Sequence, residues 1–372
     1  MKIGVIGTRG FPDIQGGIET HCQELYTRLA EGYDSQVTVY RRIPYLNEKN
    51  RDAKYTNIRF IDFKVPRNKF LETFLHSFLA SVHALFQRYD IVHYHNTGPG
   101  FFIPIVKLSR ARVVFTYHNI SYTQQKWNVF ARKFLAGSEW VSMRRSDYII
   151  FISEVIKAEM VEKYGKDDLR YSVVFNGVRL PERAQKDDFL TCLGLKKNGY
   201  ILGVGRFLEE KGFDYLIRAY RKTGISDMKL VLAGDTDYPT EYSDNLKKLA
   251  AENEIILPGF IKGDQLNQLY TFAHLFVISS YSEGLPIALL EAMSYDLDVL
   301  ASDIPANLQV GLAVEDYFKT GNEEDLSNAI IKKLGQENKR SFSEVLSKRF
   351  NWTEITRDTL NIYQKLITTH ES

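Results

Sequence analysis

The chain alternates short apolar runs with longer segments in which apolar residues recur at helical spacing. Strands are predicted, in order, at Lys2–Ile6, Gln36–Tyr40, Ile58–Phe63, Ile91–Tyr94, Val113–Tyr117, Tyr148–Ile152 and Ser172–Phe175. Helices are predicted between them, most clearly at Ile18–Leu29 and Phe70–Phe86. Because strands that alternate with helices form parallel sheets with crossover helices, this pattern predicts a doubly wound α/β domain.

A second round of the same pattern begins after Pro181. Its predicted strands are Tyr200–Val204, Lys229–Ala233, Ile255–Leu257, Leu275–Ile278 and Val299–Ala301. Its predicted helices are Phe213–Arg221, Asn245–Glu252, Pro286–Ser294 and Glu324–Leu334. The polar segment 178–198 reads as the junction, and an amphipathic helix at Trp352–Ile367 closes the chain. In such sheets ligands bind at the carboxyl ends of the strands, so we expect the site in the cleft between two domains.

Length and composition agree with this organisation. The 372 residues suit two domains, and no run of 18 apolar residues predicts a membrane-spanning helix. The apolar start, Met1 to Gly7, is too short for a secretory signal peptide. We therefore expect a cytoplasmic protein.

The formal net charge of +2 conceals an asymmetry between the two halves. The first 180 residues hold 26 Lys and Arg against 17 Asp and Glu, and the remainder carries a net charge of −7. Between positions 107 and 145 only Glu139 offsets a series of cations, namely Lys107, Arg110, Arg112, Lys126, Arg132, Lys133, Arg144 and Arg145. Such a face indicates an acidic partner, anionic lipid or nucleic acid, with an unpartnered solvated surface as the alternative.

The segment from Ser282 to Met293 is the strongest candidate for chemistry. Gly284 allows a close backbone approach, and the amides of Leu285 and Ile287 would form an anion site at a helix start. Glu283 and Glu291 flank this site and could accept hydrogen bonds from hydroxyls on either side of a diphosphate. That is the layout of a nucleotide sugar. The alternative is a helix-capping acid followed by a solvated glutamate.

A second candidate follows the strand at Tyr200–Val204. Gly205 and Arg206 end that strand, and Lys211 precedes the next helix. Fixed cations there would stabilise a departing nucleoside diphosphate, with arginine suited to bidentate phosphate contacts and lysine acting as a point charge. The alternative is a pair of solvated surface cations.

Glycine turns mark the start of the first domain. Gly4, Gly7 and Gly10 have a spacing unlike that of dinucleotide binders, which weakens a nicotinamide reading without excluding it. The pair Gly16 and Gly17 stands before a helix and offers a second cluster of amides.

Histidines follow two strands of the same domain. His118 comes directly after Val113–Tyr117, where a cleft residue would stand. His93 and His95 share one face of their strand like a metal pair, but no cysteine or further histidine cluster joins them in the sequence. We therefore expect no metal.

Taken together, these motifs resemble the retaining GT-B nucleotide-sugar glycosyltransferases, specifically glycosyltransferase family 4. The opening, Ile6 to His21, is more narrowly similar to the bacterial rhamnosyltransferase-like clade of that family. The resemblance covers nearly the whole chain. It implies two Rossmann-like domains facing across a cleft, an acceptor-side domain at 1–180 and a nucleotide-sugar domain at 181–351. A returning helix at 352–372 would cross back onto the first domain.

The resemblance also implies a role for each motif residue. Arg206 and Lys211 would hold the diphosphate, Glu283 the donor sugar and Glu291 the ribose, while His118 would sit beside the transferring sugar. The implied catalytic set is His118, Glu283, Arg206 and Lys211. The implied donor-binding set is Gly16, Gly17, Gly205, Phe260, Ile261, Gly284, Leu285, Ile287 and Glu291, with Phe260 and Ile261 lining the base.

The expected reaction is transfer of a hexosyl or deoxyhexosyl group, with rhamnose favoured, from a nucleotide-diphosphate sugar with retention of configuration. The expected acceptor is a saccharide or a polyprenyl-diphosphate-linked saccharide in bacterial surface polysaccharide synthesis. No cofactor, no metal and no nucleic acid are expected, and an anionic membrane face is a possible partner. The alternatives are an NADP-dependent oxidoreductase, for which Arg41 and Arg42 would suit a 2′-phosphate, and a GT-B-fold nucleotide-sugar epimerase.

Overall fold

The computed structural model describes residues 1–68, 71–118, 129–165, 169–236, 239–336 and 340–368. The chain divides into two compact units. The first consists of Met1–Gly177 and Trp352–Ser372, and the second of Val178–Asn351. Each unit is built on a parallel sheet with helices, so the predicted α/β fold class is confirmed.

The first unit contains a seven-stranded parallel sheet in the order β3-β2-β1-β4-β5-β6-β7. Its strands are β1 Lys2–Ile6, β2 Gln36–Arg42, β3 Ile58–Phe63, β4 Ile91–His95, β5 Arg112–Tyr117, β6 Tyr148–Phe151 and β7 Tyr171–Val173. Its helices before the second unit are α1 Gly17–Gly32, α2 Glu48–Arg51, α3 Leu71–Leu85, α4 Thr97–Gly100, α5 Ile103–Val106, α6 Val129–Arg145 and α7 Glu154–Tyr164, with a 3-10 turn at Ile43–Tyr45. The strand order reverses between β1 and β4, where doubly wound sheets bind ligands.

The second unit contains a five-stranded parallel sheet in the order β12-β11-β10-β8-β9. Its strands are β8 Tyr200–Val204, β9 Lys229–Ala233, β10 Leu275–Ile278, β11 Asp298–Ser302 and β12 Tyr317–Phe318. Its helices are α8 Asp188–Cys192, α9 Phe213–Lys222, α10 Glu241–Glu252, α11 Asp264–Phe272, α12 Ile287–Ser294, α13 Pro305–Leu308, α14 Glu323–Leu334 and α15 Ser343–Arg349, with 3-10 turns at Glu209–Lys211 and Val314–Asp316. Here the order reverses between β8 and β10.

One strand prediction in the second unit is wrong. Residues 255–257 form no strand, although Ile256 makes a single parallel bridge to Val231. The ladder ends because Pro258 has no N–H to donate and Gly259 turns the chain with φ +76°. The short strand β12 was missed, since its two residues are too few to give a hydrophobic period.

The last helix, α16 at Trp352–Thr368, belongs to the first unit. Its buried face includes Trp352 and Tyr363, which pack in the same apolar core as Leu25 and Leu29 of α1. Burial of one such side chain contributes roughly 1.5–3 kcal/mol. Gly177 makes room for the indole, because a Cβ there would lie 2.7 Å from the Trp352 ring.

Two glycines let strand ends approach each other more closely than any side chain permits. Gly7 follows β1 with φ +111°, and a Cβ there would lie 2.0 Å from the carbonyl oxygen of His95 at the end of β4. Gly234 follows β9 with φ +144°, and its Cβ would lie 1.8 Å from the carbonyl oxygen of Gly205 after β8. Each glycine therefore sets the spacing of backbone at the carboxyl edge of its sheet.

We expect Gly234→Ala to lower the free energy of unfolding of the second unit by about 2–4 kcal/mol, since alanine meets both a forbidden φ and the Gly205 carbonyl. The measurement is urea unfolding followed by circular dichroism. Gly335→Ala is the matched control in the same unit, because its nearest atoms lie 3.6 Å away and its φ is −84°. Equal stability of the two variants would contradict the role given to Gly234.

Candidate functional site

The carboxyl ends of β8 and β10 bring the two predicted motifs of the second unit together. Gly205 and Arg206 follow β8, and the segment 279–286 follows β10, at the point where the strand order reverses. The amide of Gly205 donates to Ala233 at 3.0 Å, which ties the end of β8 to the end of β9. Arg206 is half-buried at this edge. The two motifs therefore meet at the topological switch point, the place where doubly wound domains hold their ligands.

An ion pair joins the two motifs. The Lys211 ammonium lies 2.5 Å from Oε1 of Glu283, and the Ser280 hydroxyl donates to the same oxygen at 2.6 Å. The Lys211 and Glu283 side chains are 21% and 11% exposed, so both are largely but not fully withdrawn from water. The pair can thus still meet a ligand, while its strength exceeds that of a fully solvated pair.

Backbone contacts fix the position of Lys211. Its carbonyl accepts a hydrogen bond from the Ser279 hydroxyl at 2.9 Å. The next residue, Gly212, has φ +62°, and a Cβ there would lie 2.3 Å from the Ser279 carbonyl oxygen. The Tyr215 hydroxyl donates to that same carbonyl at 2.6 Å. The lysine is therefore held against the end of β10 before any ligand arrives, which is the preorganisation that charge stabilisation requires.

Helix α12 carries the other carboxylate of the motif. Glu291 accepts a hydrogen bond from the Tyr270 hydroxyl at 3.0 Å. Burial raises the pKa of Glu291 to about 7, and the hydrogen bond from Tyr270 opposes that rise. The Tyr270 ring is buried and stacks on Tyr295 with 5.1 Å between centroids. A carboxyl with a pKa near neutrality can either accept or donate a hydrogen bond at physiological pH.

The start of α12 differs slightly from the expectation. Pro286 is the residue before the helix rather than its first turn, and the helix begins at Ile287. Leu285 is buried, and the Gly284 carbonyl accepts a hydrogen bond from Gln309 at 3.4 Å. The first backbone amides of a helix have no acceptor within that helix. The N–H of Ile287 can therefore still donate to an anion, as the sequence predicted.

The loop after residue 257 presents an aromatic face beside β9. Gly234 donates to the Gly259 carbonyl at 2.9 Å, which holds this loop at the carboxyl end of the strand. The Phe260 side chain is 46% exposed, while Ile261 is buried. An exposed ring anchored by a buried neighbour is a surface on which a planar base can stack.

A cluster of histidines occupies the corresponding edge of the first unit, and it corrects the expectation that nothing joins His93 and His95. His21 of α1, His95 of β4 and His118 after β5 each place a ring nitrogen within 4.8 Å of the others. Nδ1 of His95 lies 3.0 Å from Nε2 of His118, and the His93 and His95 rings stack with 4.2 Å between centroids. The spacing of His93 and His95 predicted that they share a face, whereas the contact of His95 with His118 could not be predicted from sequence spacing.

Tyrosine hydroxyls surround the same cluster. Tyr26 contacts Nε2 of His95 at 2.6 Å and Nδ1 of His93 at 2.9 Å, and Tyr363 of α16 contacts Nδ1 of His93 at 2.5 Å. Nδ1 of His21 lies 2.7 Å from Oδ1 of Asn176. Burial lowers the pKa of His21 to about 4, against the opposing effect of Asn176.

The other three rings are neutral for the same reason. Burial, followed by the neighbouring histidines, lowers the pKa values of His93, His95 and His118 well below their ordinary range.

The glycine pair of the first unit stands at the head of α1. Gly16 precedes the helix with φ +145°, and Gly17 is its first residue. Glu19 accepts hydrogen bonds from the backbone amide of Arg9 at 3.0 Å and from its Nε at 3.3 Å. This ion pair, with both side chains largely buried, holds the loop after β1 against the helix start.

The arginines that an NADP site would need are engaged elsewhere. Arg41 contacts both oxygens of Asp62 at 2.7 and 2.9 Å, and Arg42 contacts Glu72 at 2.6 Å. Both arginines are buried. They hold β2 against neighbouring elements. Neither arginine is therefore placed to bind the 2′-phosphate that the oxidoreductase alternative requires.

Each unit therefore gathers its own part of the predicted set. Lys211 and Glu283 are in contact and Glu291 stands on the helix that follows them, whereas His118, Gly16 and Gly17 belong to the first unit. Sequence reasoning missed several partners, namely Tyr26, Asn176, Tyr270 and Ser280. His21 was quoted within the glycine motif, yet nothing local indicated that it would meet His118.

Family models match both units. Residues 15–181 match the model described as Glycosyltransferase Family 4, and residues 192–344 match the model described as Glycosyl transferases group 1. The uncharacterized glycosyltransferase MJ1607 of Methanocaldococcus jannaschii is 25% identical over 98% of each chain. The O-antigen chain mannosyltransferase B of Escherichia coli is 25% identical over 74% of this chain and 76% of its own.

Solved structures show the same fold. Sucrose-phosphate synthase from Thermosynechococcus elongatus superposes with a TM-score of 0.83 at 20% identity, covering 99% of both chains. The Anabaena protein HepE, solved in complex with UDP and glucose, superposes with a TM-score of 0.79 at 17% identity over 98% of this chain and 100% of its own. These likenesses place the chain in the GT-B fold.

We expect Tyr270→Phe to raise the pKa of Glu291 further, by about 1–2 units, because the carboxylate loses a donor that favours its charged form. The measurement is a carbon-detected NMR titration of protein labelled at glutamate. Tyr295→Phe is the control, since its hydroxyl bonds Asn267 and not Glu291. An unchanged or lowered pKa in Tyr270→Phe would contradict the assignment.

Proposed function

We propose that this chain, a glycosyltransferase of the family 4 and group 1 type, transfers a hexosyl or 6-deoxyhexosyl group from a nucleotide-diphosphate sugar to a saccharide acceptor. The observation that carries the proposal is the contact of Lys211 with Glu283 at the reversal point of the second sheet. It places a fixed cation and a hydroxyl-accepting carboxylate side by side, within the unit that matches the group 1 model.

The leaving diphosphate is the group that Lys211 would stabilise. Departure of a nucleoside diphosphate builds negative charge on its outer phosphate, and a preorganised ammonium lowers the barrier to that step. Arg206 stands on the neighbouring strand end and suits a bidentate phosphate contact. The amides at the start of α12 would add a third source of positive potential. With these groups in place, we propose that stabilisation of the leaving group needs no metal ion.

The remaining residues of the second unit suit the ends of the donor. Glu291 would accept the ribose hydroxyls, and Phe260 with Ile261 would support the base. Glu283 would contact the hydroxyls of the transferred sugar through its second oxygen, since Oε1 is occupied by Lys211 and Ser280. The HepE structure in complex with UDP and glucose supports a nucleotide-sugar donor for this fold.

We propose that the configuration at the transferred carbon is retained. Both site carboxylates of the second unit already serve other partners, Glu283 with Lys211 and Glu291 with Tyr270. Neither is then an independent nucleophile for the opposite face of the sugar. Attack of the acceptor on the face that the diphosphate leaves would give retention, with a phosphate oxygen taking the acceptor proton.

Rhamnose is the donor sugar that we propose first. The opening of the chain resembles the rhamnosyltransferase-like clade, and the relative from Escherichia coli is a mannosyltransferase. That relative makes mannose the second candidate, and both sugars are in the donor panel below.

We propose that the acceptor is lipid-linked and that the first unit meets an anionic membrane on the cytoplasmic side. Helix α3 exposes Phe74 and Phe78, and the Phe74 ring lies 5.8 Å from that of Phe134 in α6. Arg132 and Lys133 are exposed on α6, the helix that also carries Phe134. Of the predicted basic series, Lys107 is paired with Asp147, and Lys126 lies outside the described residues. In the described part of the chain, no helix is long and apolar enough to cross a membrane.

A donor panel tests the function. Protein would be incubated with dTDP-rhamnose, UDP-glucose, UDP-galactose, UDP-N-acetylglucosamine and GDP-mannose in the presence of EDTA, scoring release of nucleoside diphosphate and ligand-induced thermal shift. We expect one donor to respond despite EDTA, and the anomeric coupling of the product to report retention. An epimerised sugar released without acceptor would identify an epimerase instead.

We expect Lys211→Ala to lower kcat by about 10²-fold or more, because one preorganised stabiliser of the leaving group is lost. Lys222→Ala is the control, since that exposed lysine pairs with Glu323 rather than with Glu283. Thermal melts would establish that both variants fold. Near-wild-type turnover of Lys211→Ala would overturn the assignment.

Vesicle flotation tests the membrane surface. We expect the protein to float with anionic vesicles and not with neutral ones, and Arg132→Gln with Lys133→Gln to weaken binding about 30-fold at roughly 1 kcal/mol per charge. Val314→Ser, which alters an exposed apolar residue of the second unit, should bind unchanged. Equal binding to neutral vesicles would argue against the surface.

A further inference from the structure

One buried ring nitrogen of the histidine cluster, Nε2 of His21, has no hydrogen-bond partner in the described part of the chain. Nδ1 of His21 lies 2.7 Å from Oδ1 of Asn176, and an amide oxygen only accepts, so Nδ1 carries the ring proton. Nε2 therefore bears a lone pair. This atom is buried and has no hydrogen-bond partner in the described part of the chain. Leaving a buried polar atom unmatched is costly, so the site favours a group that accepts electrons from this nitrogen.

The neighbouring histidines complete a set of three ligands. Nitrogens of His21, His95 and His118 lie within 4.8 Å of one another. Nδ1 of His95 and Nε2 of His118 are 3.0 Å apart. Two nitrogens bound to a tetrahedral ion at about 2.0–2.1 Å are separated by roughly 3.3–3.4 Å. The closest pair thus needs to open by only a few tenths of an ångström for an ion to replace the shared proton.

The surroundings of the cluster also match a metal site. The outer nitrogen of His95 contacts the Tyr26 hydroxyl at 2.6 Å, and the outer nitrogen of His21 is bonded to Asn176. Such partners hold ligand rings in the tautomer that turns a lone pair toward a metal. The proton between His95 and His118 would move to the outer nitrogen of its ring as the ion binds, and because all three rings are neutral, binding releases no net proton. The three rings come from separate elements, α1, β4 and the end of β5, and all are buried.

We propose that His21, His95 and His118 bind a late first-row divalent cation of the zinc class. Three imidazoles and no carboxylate select zinc, cobalt, nickel or copper over magnesium and manganese. Three protein nitrogens leave a fourth position for water or another ligand. The ion would tie α1 to the ends of two central strands and hold His118 by Nε2, which leaves Nδ1–H as its donor. This site lies in the first unit and is independent of the metal-free stabilisation proposed around Lys211.

The test uses the full chain without a polyhistidine tag. After removal of bound metal with a strong chelator, Co²⁺ would be titrated while its visible d–d absorption is followed, and Zn²⁺ would then be added in competition. We expect one ion per chain by elemental analysis, absorption typical of nitrogen ligation, and a thermal midpoint that rises by several degrees. Elemental analysis is separate from the EDTA assay of transfer, so either proposal can fail alone.

Variants locate the ion. We expect His21→Gln to abolish the cobalt spectrum, and Asn176→Ala to weaken binding by about 10–100-fold through loss of the outer hydrogen bond. His274→Gln removes a histidine of the second unit and should bind as the wild type does. Circular dichroism establishes whether each variant is folded. If His21→Gln does not fold, the cobalt affinity of Asn176→Ala serves as the test of the site. Metal content far below one ion per chain, or cobalt binding unchanged in His21→Gln, would overturn the proposal. The cluster would then be held only by the hydrogen bonds among its own side chains.

Discussion

The structure depends on a steric constraint at the carboxyl edges of its two sheets. Backbone from neighbouring strand ends meets there at distances that exclude any Cβ, Gly7 against the carbonyl of His95 and Gly234 against the carbonyl of Gly205. These contacts stand at or next to the places where the strand order reverses. The functional side chains are attached to the same backbone, so their spacing follows from the two glycines more than from any attraction among the side chains themselves.

The two units use this edge in opposite electrostatic regimes. In the second unit a charged pair, Lys211 with Glu283, stays partly exposed and stands ready for a charged ligand. In the first unit burial keeps the imidazoles of His21, His95 and His118 neutral. The second unit thus offers fixed charges to a ligand, whereas the first offers the lone pairs of neutral imidazole nitrogens. Both sets lie at the carboxyl edge of a parallel sheet.

Local sequence predicted what depends on local physics. The strands Tyr200–Val204 and Lys229–Ala233 were placed at their observed bounds, because buried parallel strands are nearly continuous apolar runs. The motif around Glu283 was found because its glycine, proline and acids are adjacent. The contact of Lys211 with Glu283 joins residues 72 positions apart, and that of His21 with Asn176 joins residues 155 apart. Contacts between residues so far apart in the sequence are set by the strand order and register of the sheets, which a single sequence does not reveal.

The return of α16 to the first unit has a consequence for synthesis on the ribosome. The 174 residues of the second unit are translated between the two pieces of the first, which takes about 10–35 s at ordinary elongation rates. During that interval Trp352 and Tyr363 do not yet exist to cover His21 and His93. The second unit is continuous in sequence and can fold as it emerges. The first unit stays incomplete until α16 has been translated and can pack against it. The histidine cluster is accordingly among the last parts of the protein to be enclosed.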